Sequence, residues 1–165
     1  MKKLLFIVLI LVAVSCDSGK DEGDANIEIV KKYISAVESK DYATMGSLLA
    51  DNYLGIGPSV NDSITKPQTL LNWQDESEDL YEHITYEKSR FIAVEENEGE
   101  NAGQWVANWA LVKISYKKDG GTATLLANTM YKLVNNKIEK SYTFYNESDV
   151  LEQLGYVLIH PTDLY

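Results

Sequence analysis

The apolar residues of this chain change their period once, near residue 80, and that single switch limits the folds open to it. Over residues 25–40, Ile27, Val30, Tyr33, Ile34 and Val37 recur at intervals of three and four, the spacing of one buried stripe on a helix, after an Asp24 or Asn26 cap. Asp41 predicts the cap of a second helix carrying Met45, Leu48 and Leu49, which stops near Asp51-Asn52. Pro67 suits the first turn of a third helix through Leu70, Leu71 and Trp73, so the chain up to about residue 80 reads as mostly helical. Beyond that point residues 83–94, 104–116, 122–134 and 137–146 are rich in Ile, Val, Thr, Tyr and Trp. Turn-prone segments at 95–103, 117–121 and Asn135-Asn136 separate them, which predicts antiparallel strands joined by hairpins. Helices followed by strands predict an α+β domain over residues 25–157, with helices on one face of a curved sheet and a short tail at 158–165.

Residues 1–15 have the composition of an export signal. Lys2 and Lys3 precede an apolar run over residues 4–14, too short to span a bilayer, which takes about 20 residues. Ala13-Val14-Ser15-Cys16 resembles a bacterial lipobox, in which the cysteine is acylated and becomes the first residue of the mature chain. Cys16 is the only cysteine, so no disulfide framework is available. Acyl chains on Cys16 would tie the domain to a lipid bilayer without a transmembrane helix. Residues 16–24 then form a polar, acidic, flexible tether. Within it, Lys20-Asp21-Glu22 resembles the charged signal that sends some Gram-negative lipoproteins to the cell surface, and equally reads as a solvated linker. The expected location is an exported, lipid-anchored domain on a bacterial membrane, the outer membrane and cell surface included.

Charge excludes one class of partner. With 15 Lys and Arg against 25 Asp and Glu, the net charge is −10, which opposes binding to a phosphate backbone, so no nucleic acid is expected. No Cys/His cluster has zinc spacing, and the acidic segment 95–100 lacks a spaced oxygen-ligand loop with a central glycine, so neither metal nor cofactor is implied.

Three regions of the chain carry a resemblance, the helix pair, a hairpin and the close. The pair Lys32-Tyr33-Ile34-Ser35-Ala36-Val37-Glu38-Ser39-Lys40-Asp41 and Leu48-Leu49-Ala50-Asp51-Asn52-Tyr53, the hairpin Asn136-Lys137-Ile138-Glu139, and the close Tyr145-Asn146 with Leu151-Glu152-Gln153-Leu154-Gly155 resemble the SnoaL-like and ketosteroid-isomerase-like members of the nuclear transport factor two-like superfamily. The resemblance implies a cone of bent sheet wrapped on helices, with an apolar pocket inside. Enzymes of that group move protons with a buried carboxylate whose pKa is raised by apolar walls, beside a phenol or second acid that holds an oxyanion. Tyr33 matches the first-helix tyrosine of the isomerases, whereas the position matching their general base falls at Gly57 and the last-strand acid position at Asn146. Arg90 is the only arginine and stands in a polar segment, unlike the arginine and two aspartates of the group's epoxide hydrolases.

The pocket that follows from this resemblance comprises Tyr33, Tyr53, Trp73, Trp109, Asn128, Tyr142 and Asn146. On strand 104–116, Trp105, Ala107, Trp109 and Leu111 share one face and Val106, Asn108, Ala110 and Val112 the other, both largely apolar, so Trp109 is either a ligand wall or core. On the last strand Tyr142, Phe144 and Asn146 share the face expected to look inward. Tyr131 and Tyr145 are expected near the pocket as well, among eleven tyrosines in all. His83 is either a displaced acid or base or an exposed strand-end residue, Asp149 either a substitute carboxylate or part of a helix cap, and His160 a solvent-facing tail residue. The reading that follows is non-catalytic binding of a small apolar or aromatic ligand. Its rivals are a SnoaL-like isomerase, cyclase or hydrolase using Tyr33 with Asp149 or His83, and an assembly module that pairs with a second copy through its sheet.

Overall fold

The computed structural model describes residues 18–118, 120–157, 159, 160 and 162; Cys16 and the proposed export signal lie outside them. Helix α1 (Ser18–Glu38) buries Val30, Tyr33, Ile34 and Val37 along one stripe, as the periodicity requires. It begins at Ser18, so the backbone from there to residue 24 is helical where a flexible tether was expected. Gly23 explains the difference: it is buried, and a Cβ there would lie 3.0 Å from the Cβ of Ala93. A residue read as linker glycine is thus a close-approach glycine between helix and sheet. Asn26, expected as a cap, is a buried residue inside the helix.

Helix α2 (Tyr42–Leu48) starts where Asp41 Oδ1 accepts from the Thr44 N–H at 2.9 Å. Helix α3 (Lys66–Asp79) has Pro67 in its first turn and a capping box between Thr65 and Gln68. Between these helices the chain forms strand β1 (Leu49–Ile56) and the short strand β2 (Ser63–Thr65), joined by a loop over residues 57–62. The polar pair Asp51-Asn52, read as a stop, is accommodated where the pairing of β1 with its neighbour shifts register. There both residues are exposed, and Asn52 Nδ2 donates to Glu139 Oε1 at 3.0 Å.

Strands β3 (Tyr81–Glu96), β4 (Gly103–Tyr116), β5 (Thr122–Val134) and β6 (Lys137–Phe144) follow, then helix α4 (Glu147–Gln153). Asn135 and Asn136 both adopt positive φ, the two-residue geometry that suits a right-twisted hairpin. The six strands form one sheet in the order β2-β1-β6-β5-β4-β3, antiparallel throughout except for the parallel β1–β6 pair. The pairing of β3 with β4 shifts register between Glu87 and Arg90, where Lys88 has positive φ. Asn108 Nδ2, in the buried interior, donates to the freed Arg90 carbonyl at 3.3 Å. Glu38 Oε1, at the end of α1, accepts from the Tyr86 N–H at 2.7 Å and ties helix to sheet beside that irregularity.

The helices cover the concave face. Two buried clusters result, one around α1, α2 and β1, the other around Ile84, Val112, Leu125 and Val150 beneath α4. A cavity lies between them. Among the described residues, no helix is long and apolar enough to cross a membrane.

Candidate functional site

The cavity has a volume of about 770 Å³ and is lined from every element of the cone except α2. Such a volume suits a small organic molecule. Its floor is built from phenols: Tyr33 from α1, Tyr53 from β1, Tyr86 from β3 and Tyr131 from β5. Tyr33, Tyr53 and Tyr131 are each 5–6% exposed, and the rings of Tyr33 and Tyr131 meet edge to face at 6.1 Å. The Tyr53 hydroxyl and Ser141 Oγ share a 2.7 Å hydrogen bond. Trp73 of α3 closes the wall above Tyr33, and Ile84, Val112, Ile114, Leu125 and Ala127 supply aliphatic surface.

Burial raises the pKa of all four floor phenols. Tyr33 is pushed well above the ordinary tyrosine value, first by desolvation and then by the neighbouring phenols of Tyr53, Tyr131 and Tyr86; Trp73 pulls weakly the other way. Tyr131 is raised in the same way, Tyr53 more modestly because Ser141 and Thr69 hydrogen-bond it, and Tyr86 is pushed up to about 12. At neutral pH these are uncharged hydroxyls, able to donate to a carbonyl or hydroxyl oxygen of a ligand.

The rim is chemically different. Tyr81, Tyr116 and Tyr145 stand there with the carboxylates of Asp62, Glu76 and Glu147. Tyr81 and Tyr116 meet edge to face at 5.5 Å. Glu76, on α3, is half-buried, and desolvation alone raises its pKa. Asp62 comes from the β1–β2 connection. Its carboxylate fills the space a side chain at Gly57 would enter, with Cγ 2.8 Å from where a Cβ would stand. The space beside Gly57, the position that by resemblance matches the isomerases' general base and was expected to lack a side chain, is therefore taken by a carboxylate reaching in from five residues further along the chain. Neither Asp62 nor Glu76 carries a motif visible in sequence; each becomes a site residue only when the loop and helix fold over the sheet.

Of the residues expected in the pocket, Tyr33, Tyr53 and Trp73 line it, as do Gly57, Tyr131 and Tyr145. Trp109, Asn128, Tyr142 and Asn146 do not. On β6 the inward residues are Ser141 and Thr143, followed by Tyr145 just past the strand, of opposite parity to the expected set. Tyr142 faces outward and stacks on Trp105 at 5.9 Å. Trp109 is 45% exposed on the outer face, neither ligand wall nor core. Asn128, its cross-strand partner, donates to the Asn108 carbonyl at 3.4 Å. Asn146 caps α4, its Oδ1 accepting from the Asp149 N–H at 3.3 Å. Asp149 is exposed in that first turn and accepts from Gln153 Nε2 at 3.1 Å, away from the cavity. His83 is an exposed strand-end residue opposite Ser115, and His160 is exposed beside Thr162. Among the described residues no cluster of His, Cys, Asp and Glu could hold a metal ion.

No known family profile and no curated protein matches the chain. Solved structures do. A candidate polyketide cyclase from Xanthomonas campestris superposes with a TM-score of 0.67 at 16% identity, over 80% of this chain and 98% of that one. A hypothetical protein with a ketosteroid isomerase-like fold from Catenulispora acidiphila, solved with trimethylamine, gives 0.61 at 17% identity, over 79% and 94%. An epoxide hydrolase of Mycobacterium tuberculosis gives 0.58 at 10% identity, over 81% and 91%. The curved six-stranded sheet with its helices thus has the ketosteroid isomerase-like, nuclear transport factor two-like fold.

Proposed function

We propose that the cone binds a small, largely apolar molecule carrying an oxygen acceptor, on a domain exported and held at a bacterial membrane through acylated Cys16. The observation that carries the binding reading is the cavity itself, with apolar walls and the neutral phenols of buried Tyr33, Tyr53 and Tyr131 and partly buried Tyr86 as its polar groups of orientation. Native mass spectrometry of residues 17–165, prepared without lipid and compared with the denatured mass, tests it. A retained small molecule, or saturable quenching of Trp73 by small aromatic alcohols that Tyr33→Phe weakens, is the expected result. An interior that takes up no such molecule at millimolar concentration refutes it. The anchor is tested separately: Cys16→Ala should move the protein from the membrane fraction to the soluble one.

One observation favours a second reading, an enzyme of the isomerase, cyclase or hydrolase kind. The Asp62 carboxylate stands where a side chain of Gly57 would project, at one end of a cavity whose floor offers phenols to a developing oxyanion. The structural neighbours include proteins assigned to such activities, which supports this reading at the level of the fold. Its test is loss of turnover in both Asp62→Asn and Tyr33→Phe, with the fold intact.

A further inference from the structure

The two ends of the cavity differ in charge as well as exposure. On the floor the polar groups are neutral phenols; at the rim three tyrosine rings stand among three carboxylates. Tyr116 and Tyr145 raise the pKa of Tyr81, Tyr145 raises that of Tyr116, and Glu76 raises all three, so the rings and this carboxylate, with Tyr81 and Tyr116 edge to face at 5.5 Å, form one neighbourhood. Glu147 acts on Tyr81 and Tyr145, and Asp62 on Tyr145.

The cation of the rim is already engaged. Lys117 Nζ donates to the carbonyls of Ser77 and Glu78 at 2.9 and 2.5 Å, closing the C-terminal end of α3. The Glu76 carboxylate, by contrast, is half-buried and has no hydrogen-bond or ion-pair partner among the described residues. A carboxylate partly shielded from water and without a partner is stabilised when something positive reaches it. Tyrosine faces are also electron-rich, and attract cations most strongly where water is excluded.

We propose that the rim receives a positively charged nitrogen, an amine or quaternary ammonium, at one end of a ligand whose apolar body lies on the tyrosine floor. The nitrogen sits among Tyr81, Tyr116 and Tyr145 with Glu76 as its principal counter-charge. This rests on the binding reading above and narrows it to a ligand class: cationic at one end, apolar along its length.

The test compares two probes of the same shape, 4-hydroxybenzyltrimethylammonium and its neutral carbon isostere 4-neopentylphenol, titrated calorimetrically into residues 17–165 at pH 7. The cation should bind about tenfold more tightly. Glu76→Gln and Tyr145→Leu should each bring the ratio of the two affinities from about tenfold to within about twofold, whatever each does to the affinity for 4-neopentylphenol alone. Both positions are partly exposed, so circular dichroism should show an unchanged fold. Equal affinities, or tighter binding of the neutral isostere, overturn the ammonium site and leave the pocket reading standing. Failure of both probes to bind at millimolar concentration overturns both.

Discussion

Asp62 and Gly57 share one space: the aspartate carboxylate lies where the glycine lacks a side chain, and the Gly57 N–H donates to the Asp62 carbonyl at 3.0 Å. The glycine is what admits the acid to the cavity. Gly57→Ala should therefore displace the Asp62 side chain, which can swing toward solvent, while leaving the backbone in place. Its effect on stability should stay within about 1 kcal/mol. Its effect on ligand affinity or turnover should match that of Asp62→Asn, measured side by side; a silent Asp62→Asn beside a damaging Gly57→Ala would remove the acid from the site.

The buried Tyr53 and Ser141 hydroxyls satisfy each other at 2.7 Å. Tyr53→Phe should cost about 1–2 kcal/mol in chemical denaturation, because the serine hydroxyl is left without that partner. Adding Ser141→Ala should recover part of the loss. The coupling in a double-mutant cycle measures the bond, and additive losses would mean that another group has taken the partner's place.

Glu76 sets a pH dependence. Burial raises its carboxyl above the unfolded value near 4.5, so between that value and its folded pKa the native state holds a proton that the unfolded state has lost. The contribution of Glu76 is full at low pH and falls as pH rises through this window, the reverse of a salt-bridged acid. Glu76→Gln should remove that fall. The difference in thermal midpoint between wild type and variant, followed from pH 4 to 8, should grow in favour of the variant as pH rises.

The floor phenols predict alkaline behaviour. Tyrosines of the unfolded chain ionise near 10.0, while Tyr33, Tyr53, Tyr86 and Tyr131 resist ionisation in the fold. The unfolded state therefore loses protons first, and stability falls as pH rises above about 10. Phenolate absorbance from the floor should appear together with loss of near-ultraviolet circular dichroism. A stepwise titration with the fold intact would show that the cavity is wet enough to solvate phenolates.

The outer face of the sheet remains uncovered. Ile92, Val94, Trp109, Leu126 and Phe144 are 45–78% exposed there, around strand pairs that bring Trp109 to Asn128 and Leu111 to Leu126. Exposed apolar surface of this kind is suited to pairing with a second copy, which we propose. Sedimentation at tens of micromolar should then show a dimer, and Leu126→Lys should weaken it at least tenfold. A wild-type monomer at every concentration would end this proposal.

Much of the architecture could be read before folding. The change of period near residue 80, the Asp41 cap, Pro67 and the Asn135-Asn136 turn are local signals, and local signals survive because capping, φ restriction and side-chain alternation act within a few residues. Strand β5 begins and ends where the apolar and β-branched run does, and the Tyr33 stripe follows from helical spacing alone. Strand β1 escaped notice because Asp51-Asn52 has the composition of a turn. Only pairing with β6 makes that pair a register shift in a strand rather than an end.

Which residues alternate follows from the order of side chains along each strand, whereas the packing of helices on the sheet selected which of the alternating sets looks inward. On β4 both faces are apolar enough to be buried, and on β6 the apolar Tyr142 and Phe144 face outward while the polar Ser141 and Thr143 look into the cavity, so period-two patterning could not give the inward set. The curvature of the sheet over α1, α3 and α4 made the choice, turning one face into a cavity wall and leaving Trp109 and Leu126 outside. The same closure brought together Asp62 and Glu76, which no spacing relates. A cavity is a property of surfaces meeting, and its chemistry is fixed only when elements distant in the chain enclose a common volume.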